Sequence, residues 1–158
     1  MPAHVTILYP FMSPSAIDAT AIDSLRTIFE RKRPFPFDLV EMGWFDDRIL
    51  YLVPEPRQPF VELTSAVAER FPDYLPYRGA FEDIVPHLTL ASRGGPAILR
   101  HVSRRIDKHL PISAEATAVV MMETRGHRHR WRLRYVFPLG TTNTPGSLGA
   151  DTRASDSP

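Results

Sequence analysis

Proline constrains this chain more than any other residue. Sixteen of its 158 residues are proline, about twice ordinary usage. A ring that fixes φ and removes the backbone donor is excluded from helix interiors and from central strands. Most of these prolines fall between stretches of regular hydrophobic periodicity, so they mark where elements begin and end. Three are read as first-turn helix prolines, where the missing N–H has no partner to lose: Pro14 after Ser13, Pro59 before FVELTSAVAERF, and Pro96 before AILRHVSRRIDKHL.

These starts, continued by 3.6-residue periodicity, predict helices over residues 14–32, 59–71 and 96–109. The first buries Ile17, Ala21, Leu25, Ile28 and Phe29. Arg31, Lys32 and Arg33 complement its C-terminal dipole, and Pro34 stops it. The second turns Phe60, Leu63, Val67 and Phe71 inward, and the third Ile98, Val102, Ile106 and Leu110.

Strands fill the intervals. HVTILY is the first. FPFDLVEMGWF and RILYLV form a hairpin across Asp46 and Asp47. HLTLAS follows a proline-rich loop. AEATAVVMMET and RWRLRYVF form a second hairpin around Arg125, Gly126 and His127. In that last strand Trp131, Leu133, Tyr135 and Phe137 alternate with Arg130, Arg132 and Arg134, which predicts one buried and one basic face. From about Thr141 the chain is small and polar, and a disordered tail is expected over 141–158. The fold class is α+β: a single domain over residues 1–140, with lobes of roughly 1–71 and 86–140, each opening with a strand, then a helix and a hairpin.

Those two opening strands share an odd feature. Both insert polar residues into an apolar run, as His4 and Thr6 in HVTIL and as His87 and Thr89 in HLTLA. Of the six histidines only these two are followed two residues later by threonine. Alternation along a strand sends His4 and Thr6 to one face and Val5 and Ile7 to the other; the same holds for His87 and Thr89 against Leu88 and Leu90. Each unit therefore offers an imidazole beside a hydroxyl on a stiff support. Displacement at phosphorus needs a base for the incoming oxygen and an acid for the departing one, and imidazole titrates near neutrality and serves as either. The hydroxyls can donate to non-bridging phosphate oxygens. The plain alternative is two half-buried strand histidines with ordinary hydrogen bonds.

Other chemistries find less support. There is no cysteine, so disulfides and thiolate metal sites are excluded, and neither H-E-x-x-H nor a dense carboxylate cluster provides a metal site. No apolar run is long enough to cross a bilayer, and the start lacks the pattern of a secretion signal; a cytoplasmic protein without membrane contact is expected. Net charge is only +1, but Lys32 and Lys108 are the only lysines among 19 basic residues, and arginine suits phosphate. His101 and His109, among the basic residues of the third helix, read as a solvated face. His127 and His129 lie at a hairpin tip.

The two H-x-T motifs and their spacing resemble the two-histidine (2H) phosphoesterase superfamily. PAHVTILYPF, GWF, LYLVPEP, FPDYLPYRGAF, VPHLTLA and WRLRYVFPLG resemble its 2′-5′ RNA ligase-like branch in particular, over residues 2–140. The resemblance implies a bilobal fold with two antiparallel sheets and flanking helices around a central groove. It implies metal-independent hydrolysis of cyclic phosphodiesters, such as 2′,3′-cyclic phosphates on RNA ends or small nucleotides, with no cofactor and no obligate protein partner. It implies His4 and His87 as the acid–base pair, with His87 activating water and His4 protonating the leaving group, and Thr6 and Thr89 as phosphate binders. Relatives carry a strand and a helix before the first motif, where this sequence has three residues, and such a missing strand would expose a sheet edge. Two other functions are compatible with these residues: a non-catalytic nucleotide- or RNA-binding module, and RNA end joining, for which no G-x-x-x-x-G-K-[ST] phosphate loop is present.

Overall fold

The protein is described by a computed structural model covering residues 3–80, 83–92, 94–124 and 131–140. Helix α1 spans Ala19–Glu30, five residues later than Pro14 predicts. Asp18 is extended and its carboxylate accepts the Ala21 N–H at 2.8 Å. A charged acceptor at the positive end of the helix dipole makes the stronger cap. Ser13 and Pro14 belong instead to a tight turn, closed by the Ala16 N–H on the Ser13 carbonyl at 2.9 Å. At the other end, the Gly140 N–H donates to the carbonyls of Phe29 and Lys32 at 3.2 and 2.6 Å. It thus satisfies acceptors that a helix C-terminus leaves open.

Helix α2 (Gln58–Arg70) buries Phe60, Leu63 and Val67 as the periodicity predicts. Helix α3 (Pro96–Asp107) departs from expectation in its first turn. Leu99 is buried and Ile98 is 58% exposed. Leu99, Val102 and Ile106 stand at i, i+3 and i+7, so both choices share every later residue, and periodicity alone cannot separate them.

Strands β1 (Phe35–Phe45) and β2 (Ile49–Glu55) form the predicted hairpin. Asp46 and Asp47 take φ of 47° and 52° at its tip, a left-handed conformation that a short polar side chain tolerates. Strand β3 (Leu88–Ala91) and strand β4 (Ile112–Ala116) join them in a four-stranded antiparallel sheet ordered β3-β2-β1-β4. Strands β5 (Ala118–Thr124) and β6 (Trp131–Pro138) form a second, two-stranded sheet. The fold is α+β, with two antiparallel sheets and three α-helices among the described residues. The larger sheet draws strands from both halves of the sequence.

Three expectations about the strands are also corrected. AEATAVVMMET is not one strand. It leaves the first sheet at Ala116 and enters the second at Ala118, while the Thr117 carbonyl accepts the Leu139 N–H at 2.9 Å. HVTILY is not a regular strand either: among its residues only Val5 pairs, in an isolated antiparallel bridge with Leu88. The strict alternation expected in β6 also fails. The register shifts between Met121 and Met122, which face Tyr135 and Leu133 and leave Arg134 as the extra residue of a bulge. An extra residue reverses the facing of everything beyond it. Leu133 is accordingly 58% exposed, and Arg134 turns inward to Glu123 at 2.8 Å and to the Pro14 carbonyl at 3.2 Å. Arg130 lies outside the described residues, as do the hairpin tip with His127 and His129 and the tail over 141–158.

The main core joins α1 and α2 to the C-terminal strand. Ile22, Leu25, Phe29, Leu63, Val67, Phe137 and Leu139 cluster there, with Phe29 and Phe137 ring centroids 5.6 Å apart. Each such side chain contributes about 1.5–3 kcal/mol on burial. Leu8, Phe11 and Met12 pack on this cluster from outside, which anchors the segment that follows the first H-x-T.

Candidate active site

Val5 bridges Leu88, so each H-x-T motif meets the other at its central residue. Antiparallel register then sets His4 opposite Thr89 and Thr6 opposite His87. Val5 and Leu88 share the face of Leu52, which pairs with Leu88 and is buried. Strand alternation, if it holds on both sides of the bridge, assigns the two histidines and two threonines to the other face. In such a square, directly opposed Cβ atoms lie about 4.5–5.5 Å apart and diagonal ones about 7–8 Å. The diagonals are His4 to His87 and Thr6 to Thr89. Extended backbone on both sides of the bridge would bring the two imidazoles and the two hydroxyls to one gap.

Several contacts hold the first motif, which has no strand around it. The Thr64 hydroxyl, from within α2, donates to the Ile7 carbonyl at 2.8 Å; it also lies 3.1 Å from its own helix's Phe60 carbonyl. The Tyr77 N–H donates to the Tyr9 carbonyl at 2.7 Å. Tyr77 and Arg78 are both left-handed, with φ of 50° and 59°. Burial pushes the Tyr77 phenol up from its ordinary value.

The second motif is held at its histidine. The His87 Nδ1 stands 2.7 Å from the Val85 carbonyl. A carbonyl only accepts, so Nδ1 carries the hydrogen, and in the neutral ring Nε2 bears the lone pair. The imidazole also stands edge-on to Phe45 and Tyr51, with centroids at 5.1 and 5.3 Å. Neither aromatic follows from the H-x-T pattern. A lone glycine inside the β1 pattern, Gly43, was the available signal, because a strand glycine often marks a close approach.

Other aromatic and histidine side chains are scattered. Tyr9 meets Trp131 edge-on at 6.1 Å, while Phe11 packs against Phe71 and Tyr74 at 5.2 and 5.3 Å. Trp44 pairs with Leu50, on the face away from the motifs. A cleft of about 400 Å³ lies between Phe11, Asp73, Tyr74 and Arg78 and includes none of the four motif residues. His101 and His109 are exposed on and just beyond α3. Among the described residues no group of three or more histidines, aspartates or glutamates could hold a metal ion, and no helix is long and apolar enough to cross a membrane.

An α+β chain with two antiparallel sheets, whose paired H-x-T motifs meet at one bridge, defines a class of two-histidine phosphoesterase-like proteins. The family model of the 2′-5′ RNA ligase superfamily matches residues 1–128, and the chain belongs to that superfamily, whose members are phosphoesterases and ligases. Solved structures share the fold. A phosphoesterase crystal structure superposes with a TM-score of 0.52 at 17% identity, covering 88% of this chain and 78% of its own. Escherichia coli LigT in complex with 3′-AMP gives 0.50 at 17% identity over 88% and 78%. LigT in its apo form gives 0.51 at 16% identity over 88% and 77%. No curated protein matches the chain.

Proposed function

We propose that this protein hydrolyses cyclic phosphodiesters without a metal, acting in the cytoplasm on 2′,3′-cyclic phosphates of RNA ends or small nucleotides. The observation that supports this reading most directly is the Val5–Leu88 bridge, because antiparallel pairing there would let an imidazole from each motif reach one phosphoryl group. In the proposed reaction a water oxygen bonds to phosphorus while its proton passes to Nε2 of His87. The opposite P–O ester bond breaks, and the departing ribose oxygen takes a proton from His4. The product is a phosphomonoester. His87 suits the first role because Val85 holds its Nδ1–H and leaves the Nε2 lone pair to act as base. Thr6 and Thr89 donate to the non-bridging oxygens as their charge changes. LigT, which shares the fold, has been crystallised with 3′-AMP, and we carry that ligand class, a ribonucleoside monophosphate, over to the product of this chain.

The test incubates purified protein, with chelator, with 2′,3′-cyclic nucleotides and with RNA ending in a cyclic phosphate, and identifies the phosphate position in each product. H4A and H87A should each lower turnover about 10²–10⁴-fold while the far-UV circular dichroism stays that of the wild type. Turnover unchanged in both variants would reject the assignment. Tight binding without turnover in the wild type would replace it by a binding module, and joined RNA ends by a ligase.

A further inference from the structure

We infer that Gly43 and Tyr51 are positioning residues for His87: Tyr51 lies across the bare backbone of Gly43, and with Phe45 it fixes the direction in which the imidazole presents Nε2. This rests on the reading of His87 as the general base.

Gly43 pairs with Tyr51, and Tyr51 pairs with Thr89. Directly opposed residues of antiparallel strands share a face, so Gly43, Tyr51 and Thr89 form one row across β1, β2 and β3, on the side that carries His87. A Cβ built on Gly43 would collide with Cζ, Oη and Cε2 of the Tyr51 ring. The ring therefore occupies the place where any other residue would put its side chain. Backbone conformation does not explain the glycine. Gly79 and Gly94 are the positive-φ glycines among the described residues, and Gly43 is not one of them. Space is the remaining reason.

Phe45, two residues along the same face, stacks on Tyr51 at 4.2 Å with 23° between the planes. The imidazole of His87 stands against both rings, at 78° to Phe45 and 60° to Tyr51. Two ring contacts and the Nδ1 hydrogen bond to Val85 leave the side chain little freedom about either of its torsions. Gly43 and Phe45 reach this face through the register shift in β1 between Leu39 and Glu41. Without that extra residue the facing would reverse and offer Met42 and Trp44 instead.

The experiment follows the His87 ring by long-range ¹H–¹⁵N NMR, assigned by loss of its signals in H87A, alongside steady-state kinetics on a 2′,3′-cyclic nucleotide. Wild type should show the Nδ1-protonated tautomer and ring protons displaced by the aromatic currents. G43A, which pushes the Tyr51 ring away, and Y51A, which removes it, should mix the tautomers and move those protons toward free histidine. Their kcat should fall about 10–10²-fold, as expected for a base misplaced by ~1 Å, with KM within about twofold, as a ring that acts through His87 alone requires. Y51F keeps the ring and should keep the wild-type signature. The inference is overturned if G43A and Y51A both retain the wild-type tautomer and shifts, or if Y51F loses them as Y51A does. Should G43A fail to fold, Y51A, which opens space, decides alone. A wild type that turns over no cyclic phosphate defeats the proposed function, while the NMR signature still decides the positioning.

Discussion

Thr64 is 1% exposed and sits inside α2, yet its hydroxyl reaches out of the helix to the Ile7 carbonyl at 2.8 Å. Replacing it by valine keeps the volume and branching and removes only the donor, so no cavity forms. The hydroxyl bond itself contributes about 0.5–1.5 kcal/mol, and leaving a half-buried carbonyl unpaired costs about 1–3 kcal/mol. T64V should therefore lose about 1–3 kcal/mol, a fall in Tm of about 3–10 °C for a domain of this size. The loss should fall on one segment. Residues 4–9 hold no ladder of strand bonds. Besides the Val5–Leu88 bridge they are tied by Thr64 to Ile7 and by the Tyr77 amide to Tyr9. Weakening one tie makes local opening easier, and exchange of the Tyr77 amide should speed up by about 5–150-fold, the equivalent of the same free energy. Thermal unfolding by circular dichroism and residue-resolved hydrogen exchange check both statements, with the β1–β2 hairpin amides as internal control. A T64V protein that melts with the wild type, or whose hairpin and Tyr77 amides accelerate equally, would refute the view that this hydroxyl tethers the His4 segment.

At Gly140, an added Cβ would run into the Glu30 carbonyl oxygen and displace the N–H that donates to Phe29 and Lys32. G140A should lose about 2–4 kcal/mol, seen as a lower urea midpoint at unchanged slope. For Tyr77, burial raises the phenol above its ordinary 10.0. As pH climbs past that value the unfolded chain ionises first and binds fewer protons, so stability drops with pH. Y77F should flatten this alkaline decline in urea titrations between pH ~8 and ~11, and a decline as steep as the wild type's would dismiss Tyr77 as its source.

Much of this protein is legible from its residues in order. Spacing of 3.6 residues locates three helices, proline marks the start of two of them, and two-residue alternation finds the β1–β2 hairpin and its Asp46–Asp47 tip. The H-x-T pairs stand out for a related reason: a strand shows alternate residues to one side whatever it pairs with, so His4 shares a face with Thr6, and His87 with Thr89, in any extended geometry. These are properties of a chain and its immediate neighbours.

Properties that belong to two segments at once were settled only by folding. Local periodicity cannot choose Leu99 over Ile98 as the buried residue, because both fit the helix and only packing separates them. The register shifts in β1 and β6, which bring Phe45 to His87 and Arg134 to Glu123, arise in pairing with another strand and leave no mark on the strand's own alternation. The change of sheet at Thr117 is of the same kind. The chain alone supplied two imidazole–hydroxyl pairs; tertiary structure joined their central residues, Val5 and Leu88, in one bridge, because adjacency between residues distant in sequence exists only once the backbone between them has folded.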